Sequence, residues 1–494
     1  MFSHMVAGAL PLLAAVAFAQ ENPYVEETVA PANYPSDWDT QSWWPQSPAT
    51  TLPAEAGKPS AIHPSAQPST SLSGVGSYTY SSSAVSASPY PYPNGTSMSS
   101  SPSSTGDATL PACKKIQYDF PAGTGGNATR AAAVKEAYTY SWNAWSKYAD
   151  GMDELLPLTA AGINDWYGWG VTVVDGIDTA IIMNLTDIVE QQLAYIQKID
   201  FTNTTYGPVE IFDTSIRYLG GLIASYDLLK SGQFPNSYDQ AQVAALVSQA
   251  ESLANKIAYG FNTASGISST YVNFSSNTPV EANYTVAATN ETYNATNTAS
   301  AGTFILEWFR LADVSGNQTY RYLTERGEAP LINPSPAPVY PGLVGTEFDV
   351  NTGAMLSFDG GWHAGVDSFL EYLIKTYQYK VDITTTQYKD FWLQAAQSTI
   401  QYLADHPYGF PDLTFLTELD VNGSFTYSSD SFTCFAGGNL LLGGKLARAC
   451  RRSWTWGLAV TDGCHQTYNT TLTGLGPTAW GWYNDSDLAY DPAD

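Results

Sequence analysis

Apolar residues recur every three or four positions through most of the chain after residue 113. This spacing places them on one face of an α-helix. The clearest case is DQAQVAALVSQAESLANKIAYGF, which begins with Asp239 as a candidate N-cap. Its apolar face consists of Val243, Leu246, Val247, Ala250, Leu253 and Ile257. The same pattern, interrupted by short Gly, Pro or Asn breaks, predicts helices over residues 131–149, 178–198, 213–230, 239–260, 302–313, 318–327, 365–379, 388–405, 436–448 and 453–465.

The succession of helical pairs predicts an all-α fold in which hairpins of helices pack side by side. No tight sequence repeat is visible, so a toroid closed around a central cavity is favoured over a regular α/α solenoid. Residues 261–300 differ, because they are rich in Thr, Tyr and Asn and lack helical spacing. We expect a β-hairpin or loop insertion there.

The first 112 residues have a different character. Residues 1–19 contain an apolar run that ends in Ala17-Phe18-Ala19, the small-x-small pattern of a signal-peptidase site, although no Lys or Arg precedes it. Residues 20–112 are rich in Ser, Thr and Pro and cannot bury enough apolar area to offset the entropy of ordering. We interpret them as a disordered stalk, open to O-glycosylation, that precedes a helical domain at residues 113–494.

Two further features indicate the cellular location of the protein. No later segment is apolar over the roughly 18 residues that a membrane helix needs. Twelve N-x-S/T sequons, from Asn94 to Asn484, are acceptors for N-glycosylation. Together with the candidate signal peptide, they predict secretion or residence in the lumen of the secretory pathway.

Charge narrows the range of partners. The chain carries 20 Lys and Arg against 46 Asp and Glu, a formal net charge of −26. The one basic cluster consists of Arg448, Arg451 and Arg452, so nucleic acids and anionic membranes are not expected partners. A neutral polar ligand such as a carbohydrate fits this balance. The aromatic residues, 13% of the chain, offer surfaces on which sugar rings can stack.

The four cysteines are Cys113, Cys434, Cys450 and Cys464. They allow three pairings, and the sequence does not choose among them. None forms a C-x-x-C pair and no H-E-x-x-H motif occurs, which gives a zinc site little support. In an oxidising compartment, disulfide bonds are the expectation.

The segment IFDTSIRYLGGLIASYDLL places Asp213 and Arg217 four residues apart on an otherwise apolar helix. Residues four apart share a helix face, so the two charges can touch each other or project into a common cavity. In the simpler interpretation, Asp213 caps the helix and Arg217 is a solvated neighbour. In the other interpretation, both side chains face a ligand.

Three further segments place carboxylates on or beside apolar helices. They carry Asp175 with Asp178, Glu307, and Asp367 with Glu371. A single acid of this kind is often a helix cap, and Asp178 and Asp367 could each be one. Four such segments beside aromatic residues are what glycoside hydrolysis requires, because one carboxyl protonates the leaving oxygen while another activates water. Neither G-x-S-x-G nor a phosphate-binding loop motif occurs.

These segments resemble glycoside hydrolase family 47, the class I α-1,2-mannosidases. VVDGIDT is similar to the family's VDSLDT element, FDTSIRYLGGLIASYDL to FETTIRYLGGLLSAYDL, and VDSFLEYLIK to ADSFYEYLLK. FTCFAGGNLLLGGKL and GCHQTYNTTLTGLGP match later landmarks, and all of them occur in order between residues 141 and 477. The resemblance implies an (α/α)7 barrel whose axial cavity holds a mannose residue on a calcium ion. It also implies inverting hydrolysis of terminal α-1,2-linked mannose.

The resemblance also assigns roles to residues. It places the general acid on Asp213 and the second catalytic acid on Asp367. It also implies roles for five further residues, which contact the sugar, order the catalytic waters or occupy further acidic positions of the cavity. They are Arg217, Glu371, Glu307, Asp175 and Asp178. It implies a disulfide between Cys434 and Cys464, which leaves Cys113 and Cys450 without an assigned partner.

The chain departs from the family pattern in three places. Asp213 stands where the family has Glu, which retracts the carboxyl by about 1.5 Å. The family's G-P-E landmark reads Gly476-Pro477-Thr478, so a further carboxylate is missing. The chain also ends before the R-P-E segment that supplies the base and the N-T-E segment whose Thr binds calcium. We therefore expect the toroid to be incomplete at its C-terminus and this chain to lack the protein ligand of the metal.

The first function hypothesis is a calcium-assisted, inverting α-1,2-mannosidase, a monomer that acts on high-mannose oligosaccharides of the N-glycan type or on glycoproteins that carry them. The alternative is a catalytically impaired homologue that binds mannosyl glycans without turnover, and Asp213 and Thr478 are the residues that favour it. A third hypothesis, a wall or surface structural protein, accounts for the Ser/Thr/Pro-rich stalk alone.

Overall fold

The computed structural model describes residues 125–234, 238–380, 385–447 and 450–484, without the side chains of residues 450–452 and 454. The predicted signal peptide at 1–19 and the predicted stalk at 20–112 lie outside the described residues. Within the described ranges, no helix is both long enough and apolar enough to cross a membrane.

Helices form most of the described chain. In chain order they are α1 Ala128–Tyr148, α2 Val171–Ile182, α3 Thr186–Ile196, α4 at residues 211–230, α5 Gln240–Ile257, α6 Thr298–Gly302, α7 Ile305–Ser315, α8 Thr319–Ile332, α9 Asp367–Tyr379, α10 Thr386–Ser398, α11 Phe435–Leu446 and α12 Cys450–Asn469. Short 3₁₀ turns follow α5 and precede α11, at Ala258–Phe261 and Phe432–Cys434. A π-helical turn, Thr399–Leu403, follows α10.

The long helices pack as hairpins. In one row, α2 packs on α4, α4 on α7, α7 on α9 and α9 on α11. Each of these five helices also packs on the helix that pairs with it in a hairpin: α3 on α2, α5 on α4, α8 on α7, α10 on α9 and α12 on α11. Consecutive hairpins of this kind produce two layers of helices. We call the chain of contacts α2, α4, α7, α9 and α11 the first row.

Short antiparallel strands lie between the helices. They are β1 Glu154–Leu156, β2 Ala161–Ile163, β3 Val209–Glu210, β4 Tyr271–Asn273, β5 Thr278–Val280, β6 Ala282–Val286, β7 Glu291–Asn297, β8 Glu347–Asp349, β9 Ala404–Asp405, β10 Phe415–Leu416, β11 Ser428–Asp430 and β12 Ala479–Gly481. They form the sheets β1–β2, β3–β4–β5, β6–β7–β8, β9–β10 and β11–β12. The strands β4 to β7 confirm the predicted β-hairpin insertion within residues 261–300.

Burial follows the predicted helix faces. On α5, Asp239 is the N-cap and accepts a hydrogen bond from the Ala241 N–H at 2.8 Å, as predicted. The predicted apolar face of that helix is buried except for Val247, which is partly exposed. Between α10 and α11 the packing is so close that a Cβ at Gly443 would lie 2.0 Å from Trp392. A side chain at this position would therefore force the two helices apart.

Two sequence predictions about helix boundaries are wrong. The single helix predicted over residues 178–198 is two helices, α2 and α3, separated at Asn184, whose φ of 54° is left-handed. Asn is one of the few residues that accept this conformation at low cost. Asp178 is consequently not a cap, because it lies inside α2.

One disulfide is present in the described chain. Cys434, at the end of a 3₁₀ turn, is bonded to Cys464 on α12, as the resemblance implied. The bond ties the start of α11 to the middle of the helix that packs along it. Cys113 and the side chain of Cys450 lie outside the described residues.

Glu328 on α8 makes stability depend on pH. Its side chain is 2% exposed, and burial raises its pKa well above the ordinary value. A raised folded-state pKa means that stability is fully present below the unfolded-state pKa and falls as the pH rises, by about 1.4 kcal/mol for each pH unit between the two pKa values. We expect Glu328→Gln to raise Tm at about pH 7.5 and to leave it unchanged near pH 4.

Thermal unfolding at the two pH values measures this effect. Glu136→Gln, which changes an exposed Glu on α1, is the matched control and should leave Tm unchanged at both. An equal change in Tm at both pH values for Glu328→Gln would show that packing, rather than protonation, is responsible.

Candidate active site

The predicted site residues lie on consecutive helices of the first row. Asp175 and Asp178 are on α2, Asp213 and Arg217 on α4, Glu307 on α7, and Asp367 and Glu371 on α9. Because each helix of this row packs on the next, side chains at the contacts can meet. The structure brings all of them except Asp178 into three groups. Asp178 lies one turn from Asp175 on α2, where its carboxyl accepts the N–H of its neighbour Thr179 at 2.5 Å.

The first group is centred on Arg217. Its Nη1 lies 3.1 Å from Asp175 Oδ2, and its Nε lies 3.5 Å from Asp213 Oδ1. The guanidinium also lies 4.9 Å from the centre of the Trp166 ring, within the range of a cation–π interaction. All three charged side chains are partly buried. One cation therefore joins carboxylates from α2 and α4, and Arg217 is not the solvated neighbour of the simpler interpretation.

Glu210, rather than Asp213, caps α4. Its Oε2 accepts the Asp213 N–H at 2.5 Å, and its Oε1 accepts the Phe212 N–H at 3.2 Å. Asp213 lies in the first turn, which leaves its carboxyl available for other contacts. The interpretation of Asp213 as the helix cap is therefore wrong. A π-helical turn, Thr214–Leu219, follows directly and contains Arg217, and such turns are frequent at functional sites.

Both carboxyls at this helix start have a raised pKa. The pKa of Glu210 is raised to about 8. Burial is the main cause and the charge of Asp213 adds to it, while the two backbone hydrogen bonds and Arg217 oppose the increase. Burial also raises the pKa of Asp213, while the charge of Arg217 opposes the increase. Asp175 behaves similarly, because burial raises its pKa and Arg217 lowers it. Protons are therefore retained here to higher pH than on exposed carboxyls.

The second group joins α7 to α9. The Tyr372 hydroxyl donates to Glu307 Oε1 at 2.7 Å, and Lys375 donates to Glu371. Burial raises the pKa of Glu307 to about 7. A Cβ on Gly220 would lie 3.7 Å from Glu307 Cγ, so α4 approaches this group closely. Glu307 is thus a buried acid between the helix of Asp213 and the helix of Asp367.

The third group surrounds Asp367, the first residue of α9. The pKa of Asp367 is raised to about 6. Burial is the main cause and Asp430 adds to it, while hydrogen bonds from backbone N–H groups and the charge of His363 oppose the increase. The Asp430 carboxylate is fixed by the N–H of Thr433 at 3.0 Å and of Ala364 at 3.3 Å. Burial also raises the pKa of Glu418, against His363. Asp367 and Glu418 therefore both interact with Asp430 and with His363.

This geometry can be compared with known proteins. The family model of Glycosyl hydrolase family 47 matches residues 137–493. The chain belongs to this family.

Individual members of family 47 are similar to this chain in sequence and in structure. The chain is 41% identical over 357 residues to mannosyl-oligosaccharide alpha-1,2-mannosidase 1B of Aspergillus oryzae, covering 72% of this chain and 67% of that protein. It is 39% identical over 360 residues to mannosyl-oligosaccharide alpha-1,2-mannosidase of Penicillium citrinum, with coverage of 72% and 67%. Among solved structures, an alpha-1,2-mannosidase from Trichoderma reesei matches with a TM-score of 0.67 and 37% identity, covering 72% of each chain.

These findings confirm several predictions. The family and the reaction class, a glycosidase, are those that the sequence motifs predicted. The fold class, an (α/α)7 toroid of helical hairpins, is confirmed by the likeness to the Trichoderma reesei structure. The roles of individual residues stay predictions, which the family 47 match does not test.

Sequence reasoning missed three acids of this family 47 site. Glu210 stands directly before the apolar α4, where a cap residue is expected, so its position was a usable signal. Asp430 lies two residues before the FTCFAGGN landmark and four residues before Cys434. Glu418 gave no local signal, because it is brought to His363 by long-range packing.

Thr478, which stands where the family 47 pattern has Glu, lies beside this third group. Its carbonyl accepts the N–H of Ser431 at 2.9 Å, and β12 pairs with β11 so that Ala479 lies opposite Asp430. The backbone of Thr478 therefore lies next to this third group, and its side chain is exposed.

The calcium ion implied by the resemblance can be tested against the donor set. In the part of the chain that the structure describes, no group of three or more His, Cys, Asp or Glu side chains could hold a metal ion. The described residues thus do not fit a calcium site built from three or more such side chains, and no step of the reaction is assigned to calcium.

Proposed function

We propose that this chain hydrolyses terminal α-1,2-linked mannose of high-mannose oligosaccharides of the N-glycan type, with inversion at the anomeric carbon. The names of the Aspergillus oryzae, Penicillium citrinum and Trichoderma reesei relatives support the substrate class. The observation that carries the mechanism is the placement of carboxyls with different proton affinities on consecutive helices of the first row.

In this mechanism Asp213 is the acid. The family pattern takes the base from its R-P-E segment, but we assign this role to Asp367. Asp213 gives a proton to the glycosidic oxygen as the bond from that oxygen to the anomeric carbon breaks. Asp367 takes a proton from the water whose oxygen bonds to the anomeric carbon. Its pKa of about 6 leaves it ionised at neutral pH. Glu307, with a pKa of about 7, holds a proton more tightly and is less suited to be the base.

The remaining predicted residues bind and orient the sugar. Arg217 donates to Asp175 and forms an ion pair with Asp213, and so restricts the direction in which the acid points. Glu307 and Glu371 offer oxygen atoms to sugar hydroxyls from α7 and α9, and their partners Tyr372 and Lys375 hold them in place. Asp178, one turn from Asp175, completes the acidic wall on α2.

The test is mannose release from α-1,2-linked mannobiose by the purified chain, followed by proton NMR. The first product formed should be β-mannose, and absence of any release would reject the proposal. Calcium dependence rests on the resemblance alone, so release is compared with and without EDTA. The candidate signal peptide and the sequons support a secreted or lumenal location.

A second candidate function is binding of mannosyl glycans without turnover. The short acid Asp213 and the hydroxyl of Thr478 in place of a carboxyl favour it. Isothermal titration with the same mannobiose separates the two functions, because heat of binding without mannose release supports only the second.

A further inference from the structure

We propose that Glu210 and Asp213 act as one carboxyl pair that holds a single proton, with Glu210 as the residue that positions Asp213 and retains the proton of the pair. This inference rests on the proposed role of Asp213 as the acid. It adds a residue that neither the sequence motifs nor the comparisons assign.

The position of Glu210 is fixed on every side. Its backbone belongs to β3, where it is paired with Tyr271 of β4. Its N–H donates to the Tyr167 hydroxyl at 2.7 Å, and its carboxyl accepts the N–H groups of Phe212 and Asp213. Because the Glu210 carboxyl accepts the backbone N–H of Asp213 itself, the two acids lie next to each other at the start of this helix.

The charges around these two acids do not balance if every carboxyl is ionised. Asp175, Glu210 and Asp213 carry three acids, and the cation that contacts Asp175 and Asp213 is Arg217. Tyr167 also faces Glu210, and its phenol is neutral because burial raises its pKa. Glu210 accepts the N–H of Asp213, and the charge of Asp213 raises the pKa of Glu210. Two carboxyls that interact in this way do not both ionise readily, so one keeps its proton.

Glu210 is the member that keeps the proton at rest. Arg217 contacts Asp213 directly and favours its ionised form, whereas the pKa of Glu210 is about 8. The charge of Arg217 alone would make Asp213 lose its proton readily. The neighbouring Glu210 opposes this effect, because ionisation of one carboxyl of the pair raises the proton affinity of the other.

The proton balance is as follows. At rest the pair carries one proton and one negative charge. When the pair gives its proton to the glycosidic oxygen through Asp213, the bond from that oxygen to the anomeric carbon breaks and both carboxyls are left ionised. A proton from solvent then restores the pair. Catalysis therefore requires a pH below the upper apparent pKa of the pair.

A purely structural role for Glu210 makes a different prediction. If Glu210 only caps α4, Ser should replace it, because Ser is among the best N-cap residues and accepts the same backbone N–H groups. Glu210→Ser thus keeps the cap and removes the ionisable group. Asp239→Ser is the matched control, because it makes the equivalent exchange at the N-cap of α5.

The first measurement is kcat/KM against pH with α-1,2-linked mannobiose. We expect the alkaline limb of the wild-type profile near pH 8. In Glu210→Ser it should move to lower pH by about 1.5 units or more, so activity falls by about tenfold or more at about pH 7.5 and by less than about threefold near pH 5. Asp239→Ser should keep the wild-type profile. An unchanged limb in Glu210→Ser overturns the proposal, as does an equal loss at every pH.

The second measurement does not depend on turnover. Infrared difference spectra record the stretching band of protonated carboxyls, and the wild type should show one more such group than Glu210→Ser at about pH 7, titrating near pH 8. If the wild type releases no mannose but shows this band, the pair stands while the proposed reaction fails. If the two spectra are equal, Glu210 is ionised and the pair is refuted.

Discussion

Replacing Asp213 by Asn should lower kcat for α-1,2-linked mannobiose by about 10²–10⁴-fold, the range associated with loss of a general acid. Asn has the same shape as Asp but cannot give a proton to the leaving oxygen. Arg217 keeps its contact with Asp175 in the variant, and the N-cap from Glu210 is untouched. The fold and the sugar contacts should therefore remain, and KM should change little.

The leaving group distinguishes loss of the acid from general damage. α-Mannosyl fluoride needs little or no protonation as its C–F bond breaks, so Asp213→Asn should hydrolyse it within about tenfold of the wild-type rate. Steady-state kinetics with both substrates, together with Tm, provide the comparison. An equal fall on mannobiose and fluoride would mean that Asp213 positions the sugar rather than protonates the leaving oxygen.

Much of the site could be predicted because its signals are local. The spacing of apolar residues on α5 and the cap at Asp239 depend only on residues within the helix. The acids on the first row are recognisable because each interrupts an apolar segment. Asp213 and Arg217 meet because four residues separate them, which the sequence states directly.

Other features could not be predicted from the sequence, because they depend on packing between segments that are distant along the chain. The break at Asn184 lies within an apolar pattern that continues through it, and the left-handed conformation there is fixed by how α2 and α3 dock. Glu418 reaches His363, and Asp430 reaches Ala364, from a segment more than fifty residues away along the chain. No periodicity encodes such a meeting.

The pKa values add information that no motif carries. Glu210, Glu307 and Asp367 have the same chemistry in isolation, but burial places their pKa values at about 8, about 7 and about 6. At neutral pH the first retains its proton and the last has lost it. This separation is how the structure distinguishes a proton donor from a proton acceptor among similar side chains.

Replacing Asp367 by Asn should lower kcat by about 10²–10⁴-fold, because an amide cannot accept the proton of the attacking water. The wild type should also lose activity as the pH falls through about 6, since protonation of Asp367 removes the base. The measurement is kcat between about pH 4 and 8, with Asp239→Asn, an exchange at the α5 cap, as a control that should keep the wild-type profile. Residual activity of Asp367→Asn should show no acid limb near pH 6, because the group that produces it is gone.

Wild-type kcat in a folded Asp367→Asn variant would mean that another carboxyl is the base. Asp430, whose carboxylate accepts the N–H groups of Thr433 and Ala364, would then be the next residue to replace.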